Sequence, residues 1–151
     1  LICRSPSVML GYLKDPEKTA ETVKGGWLHT GDLVRIDEEG NLFFFDRKKD
    51  MIKTGGMNVS SVDVERVIYQ FPGVLEVAVV GAPDPYWSEA VTACVVVKPG
   101  QVIDTEKVIA FCKDNLAPFK VPKAVHVIDA LPKDTQGKIL KRELRKQFSN
   151  M

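Results

Sequence analysis

Four stretches of the chain combine charged, polar and glycine residues in ways that can do chemistry. The richest is residues 132–142, Pro-Lys-Asp-Thr-Gln-Gly-Lys-Ile-Leu-Lys-Arg. Lys138 follows Gly137 there, where a polar turn is predicted to meet a basic helix. A lysine carried on a mobile loop can be aimed at a developing negative charge and stabilise a transition state electrostatically. On composition alone the basic run 138–146 is equally a solvated helix face. Thr30-Gly31-Asp32 sets a carboxylate just before a predicted strand. That carboxylate can accept two hydrogen bonds from a sugar diol, although a simple capped turn uses the same residues. Asp46-Arg47-Lys48-Lys49-Asp50 reads as a linker. Charged residues between packed units can change φ and ψ without exposing apolar surface, which suits a hinge. Arg47 at its base can donate to a ligand hydroxyl or phosphate. In Lys53-Thr54-Gly55-Gly56-Met57-Asn58 the paired glycines allow a ligand close to the backbone, or simply turn a strand into a helix.

These residues need elements to position them. Asp15 as cap and Pro16 at the first helical position predict a helix that Gly25-Gly26 ends. Residues 32–36 and 41–46 predict two strands joined by a turn closing on Gly40. Residues 51–53 form a short strand. Residues 60–71 form an amphipathic helix, with Ser60 and Asp63 at its cap and Val64, Val67, Ile68 and Phe71 on one face. Residues 74–82 and 90–98 are continuous apolar, β-branched runs, predicted as strands buried on both faces. A helix is predicted over 104–116, a strand over 125–128 and a last helix over 137–148. The fold class is α+β: a small C-terminal domain with one sheet flanked by helices, after a strand-rich region too small to bury a core alone.

Composition bounds the partners. The chain has 151 residues, 44% hydrophobic and 27% charged, with a formal net charge of +1. That balance supplies no global field for nucleic acid or an acidic membrane. No apolar run approaches the roughly 18–20 residues needed to span a bilayer. Cys3, Cys94 and Cys112 read as reduced thiols of an intracellular, cytoplasmic protein. Neither His29 nor His126 stands at metal-ligand spacing from a cysteine, so no metal site is expected. The start at Leu1-Ile2-Cys3-Arg4, strand-like and without an initiator Met, suggests a piece of something longer.

The order and spacing of the four stretches, taken together, are specific. Thr30-Gly31-Asp32, then residues 46–56, then Leu131-Pro132-Lys133 through Gly137-Lys138-Ile139 resemble the AMP-forming acyl-CoA synthetases of the adenylate-forming superfamily. Val8-Met9-Leu10-Gly11-Tyr12 with Asp15-Pro16-Glu17-Lys18-Thr19 and Leu116-Ala117-Pro118-Phe119-Lys120-Val121-Pro122 resemble further stretches of that family. The look is nearest to ligases of medium- or long-chain fatty acids or aryl acids. Asp46 stands where many relatives have glycine, and Met57 where many have glutamate.

The resemblance implies that residues 1–48 end an N-terminal domain and residues 49–151 form a C-terminal mobile domain. It implies a ligase that joins a carboxylic acid to ATP, giving acyl-AMP and pyrophosphate, and then forms a thioester with CoA. Asp32 would bind the ribose hydroxyls of ATP or AMP, with Arg47 assisting. Lys138 would be the catalytic adenylation lysine and Lys49 the hinge. Lys53, Gly55 and Gly56 would form the face used in thioester formation. Mg2+ would accompany ATP, its ligands lying mainly in an N-terminal domain upstream of Leu1, with the phosphate loop and the acid pocket. The residues 1–151 alone would then be inactive. An adenylating enzyme that loads a carrier-protein phosphopantetheine, or an inactive interaction domain of the same fold, are the other readings of this pattern.

Overall fold

The computed structural model describes residues 1–149 and divides into two compact units, Leu1–Lys49 and Asp50–Met151. The first unit is strand-rich. β1 (Ile2–Cys3) is followed by α1 (Pro16–Thr22), β2 (Val23–Lys24) and β3 (Trp27–His29), and the three strands pair in the order β1-β3-β2. As expected, Asp15 caps α1 by accepting from the Lys18 N–H at 3.0 Å, and Pro16 opens it. The helix stops earlier than its glycines. Gly25 and Gly26, both with positive φ, are the turn of the β2–β3 hairpin and not a helix stop. β4 (Asp32–Ile36) and β5 (Leu42–Arg47) form an antiparallel ribbon. Ile36, Leu42, Phe43 and Phe44 stay about half exposed or more, and Asp46 is the one fully buried residue of this unit. The expectation that this region lacks a core of its own therefore holds.

The second unit holds the core. β6 (Ile52–Thr54) and β7 (Met57–Val59) form a hairpin, followed by α2 (Ser61–Ile68), β8 (Val74–Asp84), β9 (Ser88–Val97), α3 (Thr105–Asn115), a 3₁₀ turn (Pro118–Lys120), β10 (Ala124–Val127) and α4 (Lys141–Ser149). β9 runs antiparallel to β8 along its length and parallel to β10, while β6 joins the start of β9 through Thr54 and Ser88. One face of this sheet packs with α2 and α3 through Val64, Ile68, Val79, Val91, Val95, Val108 and Cys112. The other buries Ala78, Val80, Cys94 and Val96 against Leu131 and Leu144 of the C-terminal segment. That two-sided cover explains the unbroken apolar runs of β8 and β9. Among the described residues no helix is long and apolar enough to cross a membrane.

Two further predicted elements are corrected. Gly55-Gly56 does not lead into a helix; it is the two-residue turn of the β6–β7 hairpin, with φ of +53° and +78° and Thr54 opposite Met57. Positive φ at both central residues is what such a hairpin turn demands. The last helix begins at Lys141 and not at 137, because the backbone before it is committed elsewhere. The Leu140 N–H donates to the Pro132 carbonyl at 2.8 Å, and Lys133 bridges Ile139.

Candidate functional site

The first unit presents Asp32 and Arg47 together. They stand opposite each other at the open end of the β4–β5 ribbon, away from its turn. Arg47 Nε lies 2.7 Å from Asp32 Oδ1 as an ion pair. That oxygen is buried, and its partner is the Arg47 guanidinium. Thr30 holds the approach: its Oγ1 accepts from the Asp32 N–H at 3.0 Å and donates to the Leu1 carbonyl at 3.1 Å. Gly31, at φ +77°, offers its carbonyl to the Lys48 N–H at 2.8 Å. Thr30, Gly31, Arg47, Lys48 and Lys49 line an open hollow here. A carboxylate paired with a guanidinium that lines such a hollow can help hold a vicinal diol that bears a phosphate.

The predicted linker is only partly a linker. Asp46 and Arg47 are the last residues of β5, and Asp46 is 1% exposed with its carboxylate accepting from the Arg47 N–H at 2.7 Å. Lys48 is tied to Gly31, and Asp50 is ion-paired with Arg145 of α4. Lys49 is exposed between these two fixed neighbours.

Within the second unit Lys138 sits at the end of a hydrogen-bonded loop, exposed, and its ammonium makes no ion pair among the described residues. The loop carries hydrogen bonds of its own. Asp134 Oδ1 accepts from the N–H groups of Gln136 and Lys138, each at 2.9 Å. The Asp134 N–H donates to the Lys138 carbonyl at 2.9 Å, and Gly137, at φ +81°, donates to the Asp134 carbonyl at 3.0 Å. Both stems are braced. Lys133 pairs with Glu76 of β8 at 2.5 Å. Lys141 Nζ donates to Ser61 Oγ at 2.7 Å and pairs with Glu65 at 2.5 Å, and Glu65 also accepts from the Val79 N–H at 2.8 Å.

Lys53, Gly55 and Gly56 lie in the β6–β7 hairpin. The Lys53 N–H donates to Glu89 Oε2 at 2.6 Å, and the Gly55 N–H donates to the Trp87 carbonyl at 2.9 Å. The hairpin thus belongs to the Asp84–Ser88 end of the β8–β9 pair, whereas Glu76 ties the Lys138 loop to the opposite end. From Glu76 to Asp84 a strand extends roughly 26 Å at about 3.3 Å per residue. The structure brings Asp32 and Arg47 together and keeps Lys138 apart from the Gly55-Gly56 turn.

Sequence reasoning missed Asp134, Glu65, Lys141, Glu89 and Trp87. Only Asp134 left a legible signal: an aspartate followed two residues later by Gln-Gly is turn chemistry. The others act across long sequence separations.

The fold and these motifs define a class, and comparison with known proteins identifies it. Residues 63–138 match the AMP-binding enzyme C-terminal domain, and the chain belongs to that family. It is 50% identical over 145 residues to the long-chain-fatty-acid–CoA ligase of Escherichia coli O157:H7, covering 96% of this chain and 26% of that protein. It is 44% identical over 148 residues to a feruloyl-CoA synthase of an Amycolatopsis species, covering 98% of this chain and 30% of that protein. The crystal structure of ATP-bound MatB from Rhodopseudomonas palustris superposes with a TM-score of 0.90 at 40% identity, over 97% of this chain and 29% of that one. The chain thus spans under a third of the length of these relatives.

Proposed function

We propose that this chain is the C-terminal part of an AMP-forming acid–CoA ligase, spanning the end of an adenylate-binding domain and a mobile domain. In the first half-reaction a carboxylate oxygen attacks the α-phosphorus of ATP, a new oxygen–phosphorus bond forms, and pyrophosphate leaves. In the second, the CoA sulfur attacks the acyl carbon, AMP leaves, and the thiol proton is released. Asp32 accepts from the ribose hydroxyls and Arg47 supports it from across the ribbon. Lys138 delivers its ammonium to the charge that gathers around the α-phosphate in the first step. The hairpin of Lys53, Gly55 and Gly56 meets the thiol arm in the second, and Lys49 is the hinge that exchanges the two faces. ATP is expected to arrive with Mg2+. Among the described residues no group of three or more His, Cys, Asp or Glu could hold a metal ion, so no step is assigned to Mg2+ through them.

The observation that carries this reading is the separation of Lys138 from the Gly55-Gly56 turn along β8. Two faces tied to opposite ends of a strand pair that runs roughly 26 Å from Glu76 to Asp84 are suited to serve one acyl group in turn. The long-chain fatty acid and feruloyl ligases, with quite different acids, match the chain to similar extents. The acid is accordingly left open, as a fatty or aryl acid.

The test is Lys138→Ala in the longer enzyme. Removing one preorganised donor costs about 10²–10³ in rate. Acyl-AMP formation should fall by that factor, while thioester formation from supplied acyl-AMP stays near wild type. Equal loss of both half-reactions would remove Lys138 from the adenylation step.

A further inference from the structure

We infer that Asp134 is a positioning residue for Lys138, fixing the loop from which the ammonium is delivered. The inference rests on the reading of Lys138 given above. Asp134 makes the only side-chain contacts inside this loop among the described residues, and its Oδ1 accepts directly from the Lys138 N–H at 2.9 Å. The same oxygen takes the Gln136 N–H at 2.9 Å. Both bonds join a formally charged acceptor to backbone donors, the stronger kind of hydrogen bond. The Asp134 main chain adds a bond in each direction, to the Lys138 carbonyl and from the Gly137 N–H. One residue thus closes the loop with its side chain and its backbone.

The rest of the loop leaves this task to Asp134. Thr135, Gln136, Gly137 and Lys138 are all exposed, so no burial holds them. Gly137, at φ +81°, has nothing within 4 Å of where a Cβ would stand. The braces Lys133–Glu76 and Lys141–Glu65 fix the two stems but stop short of the tip. Without the Asp134 carboxylate, the backbone of residues 135–138 has only the Asp134 main-chain bonds to hold it. A lysine side chain is long and flexible, so its useful geometry depends on where its own backbone is pinned.

The test separates geometry from catalysis. On residues 1–151, hydrogen exchange at the Gln136 and Lys138 amides should speed up by about tenfold or more in Asp134→Ala, as a hydrogen bond to a charged group is lost. Exchange in Asp134→Asn, whose side-chain oxygen still accepts but without the charge, should lie between wild type and Asp134→Ala. In the longer enzyme, Asp134→Ala should lower the rate of acyl-AMP formation about 10–100-fold, the effect of an ångström-scale misplacement. Asp134→Asn should recover most of that rate, and both variants should keep thioester formation from supplied acyl-AMP. Loss in the Asn variant equal to that in Ala, or equal loss in both half-reactions, overturns the inference. Lys138→Ala runs alongside. If it cripples adenylation while Asp134→Ala does not, the positioning role fails and the reading of Lys138 stands. If Lys138→Ala leaves adenylation intact, the reading fails and the inference falls with it.

Discussion

Gly55 and Gly56 offer a matched pair of substitutions that separates backbone strain from crowding. Both hold positive φ, +53° and +78°. An alanine in that region costs roughly 1–2 kcal/mol through the clash of its Cβ with the backbone. At Gly56 nothing lies within 4 Å of the Cβ position, so Gly56→Ala should cost only that. At Gly55 a Cβ would stand 3.0 Å from Trp87 Cε3 and 3.1 Å from Cζ3. Non-bonded carbons sit best at about 3.5–4.0 Å, so the indole must retreat by roughly half an ångström or more.

The indole has little freedom to do so. The Trp87 main chain that carries it is held at both ends: its N–H donates to Asp84 Oδ1 at 2.7 Å, and its carbonyl accepts from the Gly55 N–H at 2.9 Å. The Lys123 ammonium lies 4.5 Å from the ring centroid, and the Tyr86 ring meets it edge-on at 4.7 Å. Overpacking of this kind adds about 1–3 kcal/mol. Gly55→Ala should therefore cost roughly 2–5 kcal/mol, against about 1–2 for Gly56→Ala. Urea unfolding followed by far-ultraviolet circular dichroism measures both. Repeating the pair in a Trp87→Ala background isolates the contact, and the two glycine substitutions should then cost the same to within about 0.5 kcal/mol. Equal costs with Trp87 present, or an undiminished difference without it, would refute the reasoning.

Two further outcomes are expected. Lys49→Pro in the longer enzyme removes backbone freedom at the proposed hinge, so thioester formation from supplied acyl-AMP should fall more than acyl-AMP formation; stopped assays of each half-reaction decide it. Burial pushes the Cys94 and Cys112 thiols up to about 11 from 9.0. The folded state then keeps protons that the unfolded chain gives up, so their contribution to stability is complete below about pH 9 and is lost as pH rises through about 11. Urea midpoints measured from pH 8 upward should fall across that window, and half-buried Cys3 should react with a disulfide reagent before the other two.

What the sequence revealed and what it hid follow from the range of the interactions. α2 was legible because Val64, Ile68 and the Ser60 cap are local, and the Asp63 N–H does donate to Ser60 Oγ at 3.3 Å. β8 and β9 were legible because both of their faces are covered. β7 was hidden. Met57 and Asn58 are exposed and show no alternation, and the hairpin owes its place to Glu89 and Trp87, more than thirty residues on. The helix start at 137 was misread because Leu140 and Leu144 do recur at helical spacing. Leu140 spends its N–H on Pro132 instead, which no periodicity reveals. Asp32, Arg47 and Lys138 were recognisable by motif, but the burial of Asp32 Oδ1 against Arg47 and the bracing of the Lys138 loop were visible only in three dimensions.

The bracing bears on how Lys138 could arrive and leave. A loose loop would let the lysine move alone, with the rest of its unit at rest. Here its loop is closed by Asp134, and its stems are tied to β8 and α2. Moving the ammonium while keeping those bonds means moving the unit as a whole. The chain offers a narrow place for that motion. Lys48 is bonded back to Gly31 in one unit, and Asp50 is paired with Arg145 in the other. Lys49 is left between them, exposed, and can change its dihedrals without uncovering apolar surface. Arg145 lies on the helix that follows the Lys138 loop, so a rotation at the proposed hinge would be handed through Asp50 and Arg145 to α4 and its loop. A braced loop of this kind is what the proposed hinge at Lys49 would call for.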